Sequence, residues 1–169
     1  PYSVLVTDAN NNPVAGAEVT LRMRPFAFST GSSCSVQKTF CSEDRNANGS
    51  LDADEDGWRG LLSNNDSAIS SSMCSSESGF IVDDKDKNLT PQNSDAGGVP
   101  RLLTTDSQGV ASFNLTYLKQ SALWVVPMLT ATVASNGTES SRSTIFRLRP
   151  SVEDAGDTTC FLPPSPYRE

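Results

Sequence analysis

The sequence predicts an all-β protein: an antiparallel β-sandwich of about seven strands, interrupted by one long irregular insertion. Short segments that alternate apolar and polar residues are the first reason, because period two is typical of half-buried antiparallel strands. Turn-forming Asn, Asp, Gly and Pro separate these segments at roughly 8–12-residue spacing, as in a sandwich. The chain has 169 residues, about the size of one domain, and its many Ser, Thr, Asp and Asn residues disfavour a helical core.

The predicted strands lie on both sides of the insertion. In chain order they are Ser3–Thr7, Glu18–Arg24, Val110–Tyr117, Leu123–Ser135 and Ser141–Arg149. Asn136-Gly137 is the favoured two-residue hairpin turn between the last two. The alternation predicts that one set of side chains is buried: Val19, Leu21, Met23, Phe113, Leu115, Leu129, Ala131 and Phe146.

The insertion is marked by its charge. Residues 42–98 hold 12 acidic and 4 basic side chains, although the whole chain has a net charge of only −7. We therefore expect a single domain over 1–169, with a core at 1–41 and 99–149, an acidic insertion at 42–98 and a C-terminal tail at 150–169. The two parts of the core together are about the size of one immunoglobulin-like domain.

Composition excludes several functional classes. The chain has no histidine, so Ser-His-Asp and Cys-His catalysis and imidazole zinc sites are absent. Phosphate binding needs clustered Lys and Arg, whereas the strongest cluster here is acidic and favours a cation. No run approaches the ~20 apolar residues of a membrane span. We expect a non-enzymatic protein without a nucleic-acid partner or membrane insertion; the start at Pro1 suggests a mature or excised fragment.

The insertion contains a complete calcium-loop pattern, D-x-[DN]-x-[DN]-G-x₅-E, from Asp44 to Glu55. Calcium prefers six to eight hard oxygen ligands, and they converge only where the chain turns sharply at the sixth position, here Gly49. Leu51 is the apolar anchor at the eighth position. The predicted ligands are Asp44, Asn46, Asn48, the backbone carbonyl of Ser50, Asp52 and Glu55. The alternative is an acidic loop that is only solvated.

The loop is predicted to hold a structural ion rather than to act as an EF-hand sensor. A sensor needs amphipathic helices on both sides, but Ser35–Phe40 has no helical stripe and Gly57 and Gly60 disfavour a helix after the loop. A second, weaker cluster has the 1-3-5 spacing, with Leu89 in place of the turn glycine: Asp84, Asp86 and Asn88. We therefore expect one Ca²⁺, with a second ion or an exposed charged loop as the alternatives at that cluster.

The four cysteines are predicted to form disulfides in an exported protein. They are Cys34, Cys41, Cys74 and Cys160. Without histidine or a C-x-x-C motif, zinc explains them poorly. Three pairings remain open; the interpretation favoured here joins Cys34 to Cys41, at the entry to the calcium loop, and Cys74 to Cys160.

Two aromatic residues suggest an alternative function. Trp58, beside the calcium loop, or Tyr117 could contact a sugar in a carbohydrate-binding module. Such residues are more often core or loop anchors, and Trp124, within a predicted strand, is expected to be structural.

Two groups of residues resemble a known family. Val4–Asp8, Asn12–Leu21, Thr105–Ala111 and Leu129–Ala131 resemble bacterial immunoglobulin-like domains of the invasin/intimin group. A subset of that group carries a similar acidic insert, here Cys41, Glu43-Asp44, Asn46, Asn48-Gly49, Leu51-Asp52, Glu55-Asp56, Leu89-Thr90-Pro91 and Asn93. This chain departs from the pattern between Gly57 and Val82.

The resemblance implies an extracellular β-sandwich module of an adhesin or other bacterial surface protein, not an enzyme. Together with the calcium loop, it predicts a module in which Ca²⁺ rigidifies the insertion for structural or adhesive contact. The expected partners are neighbouring domains or subunits of a surface protein or fibre, or a host receptor or glycan.

Overall fold

The structure, a computed structural model, describes residues 1–62, 74, 80–81, 87–135, 138–154 and 159–167. Within these ranges the regular elements are β-strands and two short 3-10 helices, Asn93–Ala96 and Lys119–Ser121, with no α-helix. The strands are β1 (Tyr2–Leu5), β2 (Glu18–Ser32), β3 (Ser35–Cys41), β4 (Trp58–Arg59), β5 (Leu61–Leu62), β6 (Phe80–Ile81), β7 (Leu102–Thr104), β8 (Val110–Phe113), β9 (Val125–Ser135) and β10 (Thr138–Ile145). The all-β class is therefore confirmed, and the immunoglobulin-like Greek key stays a prediction. None of the described helices is long and apolar enough to cross a membrane.

The largest sheet is built on β2, with strand order β10-β9-β2-β3-β5. β7 pairs with the first residues of β2, where Glu18 lies opposite Thr104, and β3 pairs with its last residues, where Ala27 lies opposite Cys41. β1 pairs with β8, and β4 with β6, in two-stranded sheets. These pairs are antiparallel, as the period-two alternation predicts.

β2 is longer than its sequence predicts. The alternating pattern ends at Arg24, yet the strand continues to Ser32. Pro25 lies between the residues of β2 that pair with β7 and those that pair with β3, so its missing N–H interrupts neither ladder. The predicted hairpin turn Asn136-Gly137 lies outside the described residues.

The chain divides into two compact units. The first comprises Pro1–Met23, Gly97–Thr116 and Leu129–Thr144; the second comprises Arg24–Ala96, Tyr117–Met128 and Ile145–Glu169. The core of the first unit contains Val19, Leu21, Ala111, Phe113 and Leu129. Burial is thus confirmed for Val19, Leu21, Phe113 and Leu129, whereas Met23, Leu115, Ala131 and Phe146 are half-buried.

The second unit has its own hydrophobic core, and it carries the insertion. One cluster consists of Phe26, Ala27, Cys41, Trp58, Leu62 and Val126. Trp124 is fully buried, and its indole Nε1 donates to the Pro163 carbonyl at 3.1 Å. The Ser165 N–H donates to the Gly31 carbonyl at 2.9 Å, so the chain near its C-terminal end is held against β2.

Candidate metal centre

The segment 44–55 turns sharply at the position that the calcium-loop pattern predicts. Gly49 has φ +82°, in the left-handed region where a side chain is strained. The Gly49 N–H donates to Asp44 Oδ2 at 3.1 Å, which brings the sixth residue of the loop back onto the first. The turn glycine therefore does in the structure what the pattern requires of it.

The amide side chains of the loop fold back onto its backbone. Asn46 Oδ1 accepts from the Asn48 N–H at 2.9 Å, and Asn48 Oδ1 accepts from the Ser50 N–H at 2.7 Å. These are Asx-turns, in which an Asn side chain replaces a backbone turn two residues on. Both Asn Nδ2 groups donate to Asp52 Oδ2, at 2.7 and 2.9 Å. Three of the predicted ligand side chains therefore meet at one carboxylate.

Glu55 closes the loop from its other end. Its Oε1 accepts from the N–H groups of Arg45, at 2.8 Å, and Asn46, at 3.4 Å, while its Oε2 accepts from the Asp52 N–H at 3.0 Å. Glu55 is only 2% exposed. The last predicted ligand thus lies against the residues that follow the first one, as a closed calcium loop requires.

Asp44 has an oxygen that the loop does not use. The residue is 5% exposed, and its Oδ1 is buried without a hydrogen-bond partner among the described residues. A buried carboxylate oxygen with no partner is destabilising, because it has lost water and gained nothing in return. A cation bound at this oxygen would remove that penalty.

The side chains of Arg45, inside the loop, and Arg59, just after it, contact groups other than the predicted ligands. Arg45 Nη1 lies 3.7 Å from Asp54 Oδ2, and its guanidinium lies 4.8 Å from the centre of the Trp58 ring. Arg59 forms a buried ion pair with Glu43. Asp44, Asp52 and Glu55 give the loop three carboxylates at predicted ligand positions, and a bound cation would offset their like charges.

Within the described ranges, no group of three or more Asp, Glu or Cys side chains is arranged to hold a metal ion. That finding includes Asp44, Asp52 and Glu55; the predicted ligand set adds two amides and the Ser50 carbonyl to these three carboxylates. Calcium binding at Asp44, Asn46, Asn48, Ser50, Asp52 and Glu55 stays a prediction, with the loop's closure and the Asp44 oxygen in its support.

The second acidic cluster is described only in part. Asp84 and Asp86 lie outside the described residues, and Asn88 is exposed. Among the described residues of this region, Lys87 is left-handed, with φ +58°, rather than Leu89, where the 1-3-5 spacing would place the turn. A second ion stays a prediction without structural support from the described residues.

Two residues that hold the loop were missed as contacts by sequence reasoning. Glu43 is fully buried and accepts from the Gly57 N–H at 3.1 Å and the Thr90 N–H at 2.7 Å. Asn93 Nδ2 donates to the Gly49 carbonyl at 2.9 Å. The Glu43–Thr90 and Asn93–Gly49 contacts each join residues more than 40 positions apart in the sequence. No local spacing pattern reveals such contacts.

The helix that begins at Asn93 also contacts the C-terminal segment. The Tyr167 hydroxyl donates to Asp95 Oδ2 at 2.9 Å, and its ring packs on Phe28 with 5.0 Å between centroids. Burial, and then the Asp95 charge, raise the pKa of Tyr167, so this hydroxyl remains a donor at neutral pH. The short helix that begins with Asn93, which contacts the loop, is thus itself held by Tyr167.

The favoured disulfide pairing is wrong. Cys34 pairs with Cys160 and Cys41 with Cys74, with Cα–Cα distances of 5.7 and 5.6 Å. β3 has seven residues and runs extended between Cys34 and Cys41, which at ~3.3 Å per residue places them about 20 Å apart. A disulfide needs Cα atoms within about 7 Å, so these two cysteines cannot pair.

The oxidation of the cysteines is confirmed, because none is free among the described residues. Two disulfides indicate an oxidising, non-cytoplasmic environment.

Of the two aromatic residues proposed for sugar binding, Trp58 is buried and Tyr117 is 37% exposed. Trp58 is 5% exposed and belongs to the core of the second unit, and Trp124 is fully buried. The Tyr117 hydroxyl donates to the Arg149 carbonyl at 2.6 Å. Stacking on a sugar requires an exposed ring face, so the two tryptophans give the carbohydrate-binding alternative no support.

Comparisons of the chain with known protein families, with curated proteins and with solved structures found no match.

Proposed function

We propose that this protein is a non-catalytic, calcium-stabilised extracellular module of a bacterial surface or fibre protein, with an immunoglobulin-like sandwich. One Ca²⁺ would bind at 44–55, with side-chain ligands from Asp44, Asn46, Asn48, Asp52 and Glu55 and the Ser50 carbonyl. Neighbouring domains or subunits, or a receptor or glycan on a host cell, are the proposed partners. The all-β fold and the two disulfides support an exported structural module.

The unpartnered Asp44 oxygen is the observation that carries the calcium proposal. The other side-chain oxygens at the predicted ligand positions that accept hydrogen bonds do so from within the loop, which holds them in place. Asp44 Oδ1 is buried without a donor among the described residues. Hard carboxylate and amide oxygens in a flexible loop suit Ca²⁺, whereas Mg²⁺ demands a smaller octahedral site and keeps its waters.

A thermal melt with Ca²⁺, with Mg²⁺ and with chelator tests this proposal. With a Kd of about 10⁻⁴ M, millimolar Ca²⁺ should stabilise the folded state by ~1–2 kcal/mol, and Mg²⁺ should substitute poorly. Asp44→Ala and Glu55→Ala should each abolish the gain. Asp54→Ala is the matched control, because Asp54 belongs to the same loop but is exposed and is not a predicted ligand.

A direct binding signal comes from Tb³⁺, which occupies calcium sites. The centre of the Trp58 ring lies 4.8 Å from the guanidinium of Arg45, the second residue of the loop, so the indole is close enough to sensitise Tb³⁺ luminescence at the loop. Excess Ca²⁺ should quench the signal by displacement. If chelator alters neither the melt nor the protease sensitivity of the insertion, and no sensitised luminescence develops, the loop binds no calcium.

A further inference from the structure

We propose that Glu43, which is not one of the predicted ligands, is the positioning residue of the calcium loop: its buried carboxylate fixes both ends of the loop in the geometry that binds the ion. This inference rests on the proposed calcium site. Glu43 is fully buried, which is rare for a glutamate and requires charged or hydrogen-bonding partners.

The Glu43 carboxylate joins three segments of the chain. Its Oε1 accepts from the Gly57 N–H at 3.1 Å and from Arg59 Nη1, and its Oε2 accepts from the Thr90 N–H at 2.7 Å. The backbone N–H of Glu43 donates to the Thr90 carbonyl at 3.0 Å. Glu43 lies just before the loop, and its side chain is thus bound to residues just after the loop and to Thr90, far along the sequence.

These contacts lie just outside the first and last ligands. Glu43 directly precedes Asp44, and Gly57 follows Glu55 by two residues. The bond from Gly57 to Glu43 therefore limits how far Asp44 and Glu55 can separate. A loop whose ends are already held loses less conformational entropy when it binds an ion, and this preorganisation raises affinity.

A carboxylate is needed at this position. Arg59 is 3% exposed and its guanidinium lies 5.1 Å from the centre of the Phe28 ring, so the positive charge is fixed in the core of the second unit. Three donors from the described residues converge on the two oxygens of Glu43. A glutamine would place an NH₂ group against one of those donors, so at least one of the three bonds would be lost.

The segment that Glu43 holds also contacts the turn of the loop. Asn93, three residues after Thr90, donates to the Gly49 carbonyl at 2.9 Å. A Cβ added at Gly49 would lie 3.3 Å from that Asn93 nitrogen, which shows how closely the segment approaches the turn. Glu43 therefore positions the middle of the loop through Thr90 as well as its ends through Gly57.

Calcium titration calorimetry of the full chain and three variants tests the inference, with near-UV circular dichroism to verify folding. Glu43→Gln should raise the calcium Kd about tenfold, the lower end of the range for residues that support metal ligands. Glu43→Asp keeps the charge but is too short to reach both Gly57 and Thr90, so it should weaken binding in the same direction. Asp54→Asn removes an equal charge from the exposed part of the loop and should change Kd less than about twofold.

Hydrogen exchange in the wild-type protein supplies a measurement that needs no variant. Because coupling between two sites is reciprocal, calcium should slow exchange at the Gly57 and Thr90 amides as well as within the loop. Wild-type Kd in both Glu43 variants, equal weakening by Asp54→Asn, or exchange at Gly57 and Thr90 that ignores calcium would overturn the positioning role. A wild-type chain that binds no calcium would overturn the proposed function and this inference together.

Discussion

Two kinds of loop in this protein begin with an aspartate, and the carboxylate has a different role in each kind. In the turns of the first unit, Asp8 Oδ1 accepts from the N–H groups of Asn10 and Asn12 at 2.8 and 2.9 Å. Asp106 Oδ1 accepts in the same way from Gln108 and Val110, also at 2.8 and 2.9 Å. Asp44, in the second unit, is buried; among the residues that the structure describes, it has one such partner at 3.1 Å and a second oxygen without a partner.

The difference shows what separates a turn from a ligand site. Asp8 and Asp106 are exposed, and their own backbone N–H partners close the turn, so no other group is needed. The 44–55 loop has internal hydrogen bonds too, but it is also held by contacts from outside: Glu43 at its ends, Asn93 at its turn, and the disulfide of Cys41 near its start. A loop held from outside can keep an oxygen free for an ion, because its shape does not require that oxygen.

The largest effect on the 44–55 loop should follow from removing the disulfide next to it. Replacing Cys41 and Cys74 by Ala opens a closed segment with a sequence separation of 33, which should cost about 3–4 kcal/mol of unfolding free energy. Urea unfolding measures this loss. Amide exchange should also show lost protection at Gly49 and Asp52, while Gly109 and Val110, in the self-contained Asp106 turn, keep theirs.

The second disulfide is the matched control for that experiment. Cys34–Cys160 has a sequence separation of 126, so Cys34→Ala with Cys160→Ala should cost at least as much stability. It should nevertheless leave the exchange of Gly49 and Asp52 in the folded protein unchanged. If both double variants deprotect the 44–55 loop equally, the loop depends on global stability and not on the Cys41 tether.

Asp44→Asn should have the next largest effect, and its sign should depend on calcium. With chelator, the variant removes a buried charge and keeps an acceptor for the Gly49 N–H, so the melting temperature should stay level or rise. With millimolar calcium, the variant should lose the ~1–2 kcal/mol that the wild type gains. Asp106→Asn, measured beside it, should show a small change that is the same with and without calcium.

Local features of this protein were predictable from sequence, and long-range ones were not. The alternation over Glu18–Met23 placed Val19 and Leu21 in the core, and the motif spacing placed the left-handed turn at Gly49. Both signals are periodic and arise within a dozen residues. The continuation of β2 past Pro25 was missed, because proline ends a strand on sequence alone.

The contacts that support the loop depend on pairings that no spacing pattern encodes. The sequence did not predict strand β3, so the distance between Cys34 and Cys41 could not be judged and the predicted disulfide pairing was wrong. Glu43 looks like one more acidic residue in an acidic segment; its burial depends on Thr90, 47 residues away. The sequence therefore identifies the candidate ligands but not the groups that hold them.

The smallest effect should come from Asp8, and it should depend on pH rather than on calcium. The Asn12 side chain, followed by the backbone N–H groups of Asn12 and Asn10, lowers the pKa of Asp8 in the folded state. A carboxylate with a lowered folded pKa stabilises the protein above its unfolded pKa of about 3.9, and this stabilisation is lost as pH falls through the folded value.

Asp8→Asn should therefore lower the urea midpoint slightly at about pH 7, and the difference from wild type should shrink as the pH falls below the unfolded pKa of about 3.9 and through the lowered folded pKa of Asp8. Added calcium should change neither difference, since both Asp8 oxygens already accept hydrogen bonds from Asn10 and Asn12. A difference that persists in acid would show that the turn depends on the shape of the side chain and not on its charge. A calcium-dependent difference would show that a self-contained turn also binds the ion, and the contrast with Asp44 would then fail.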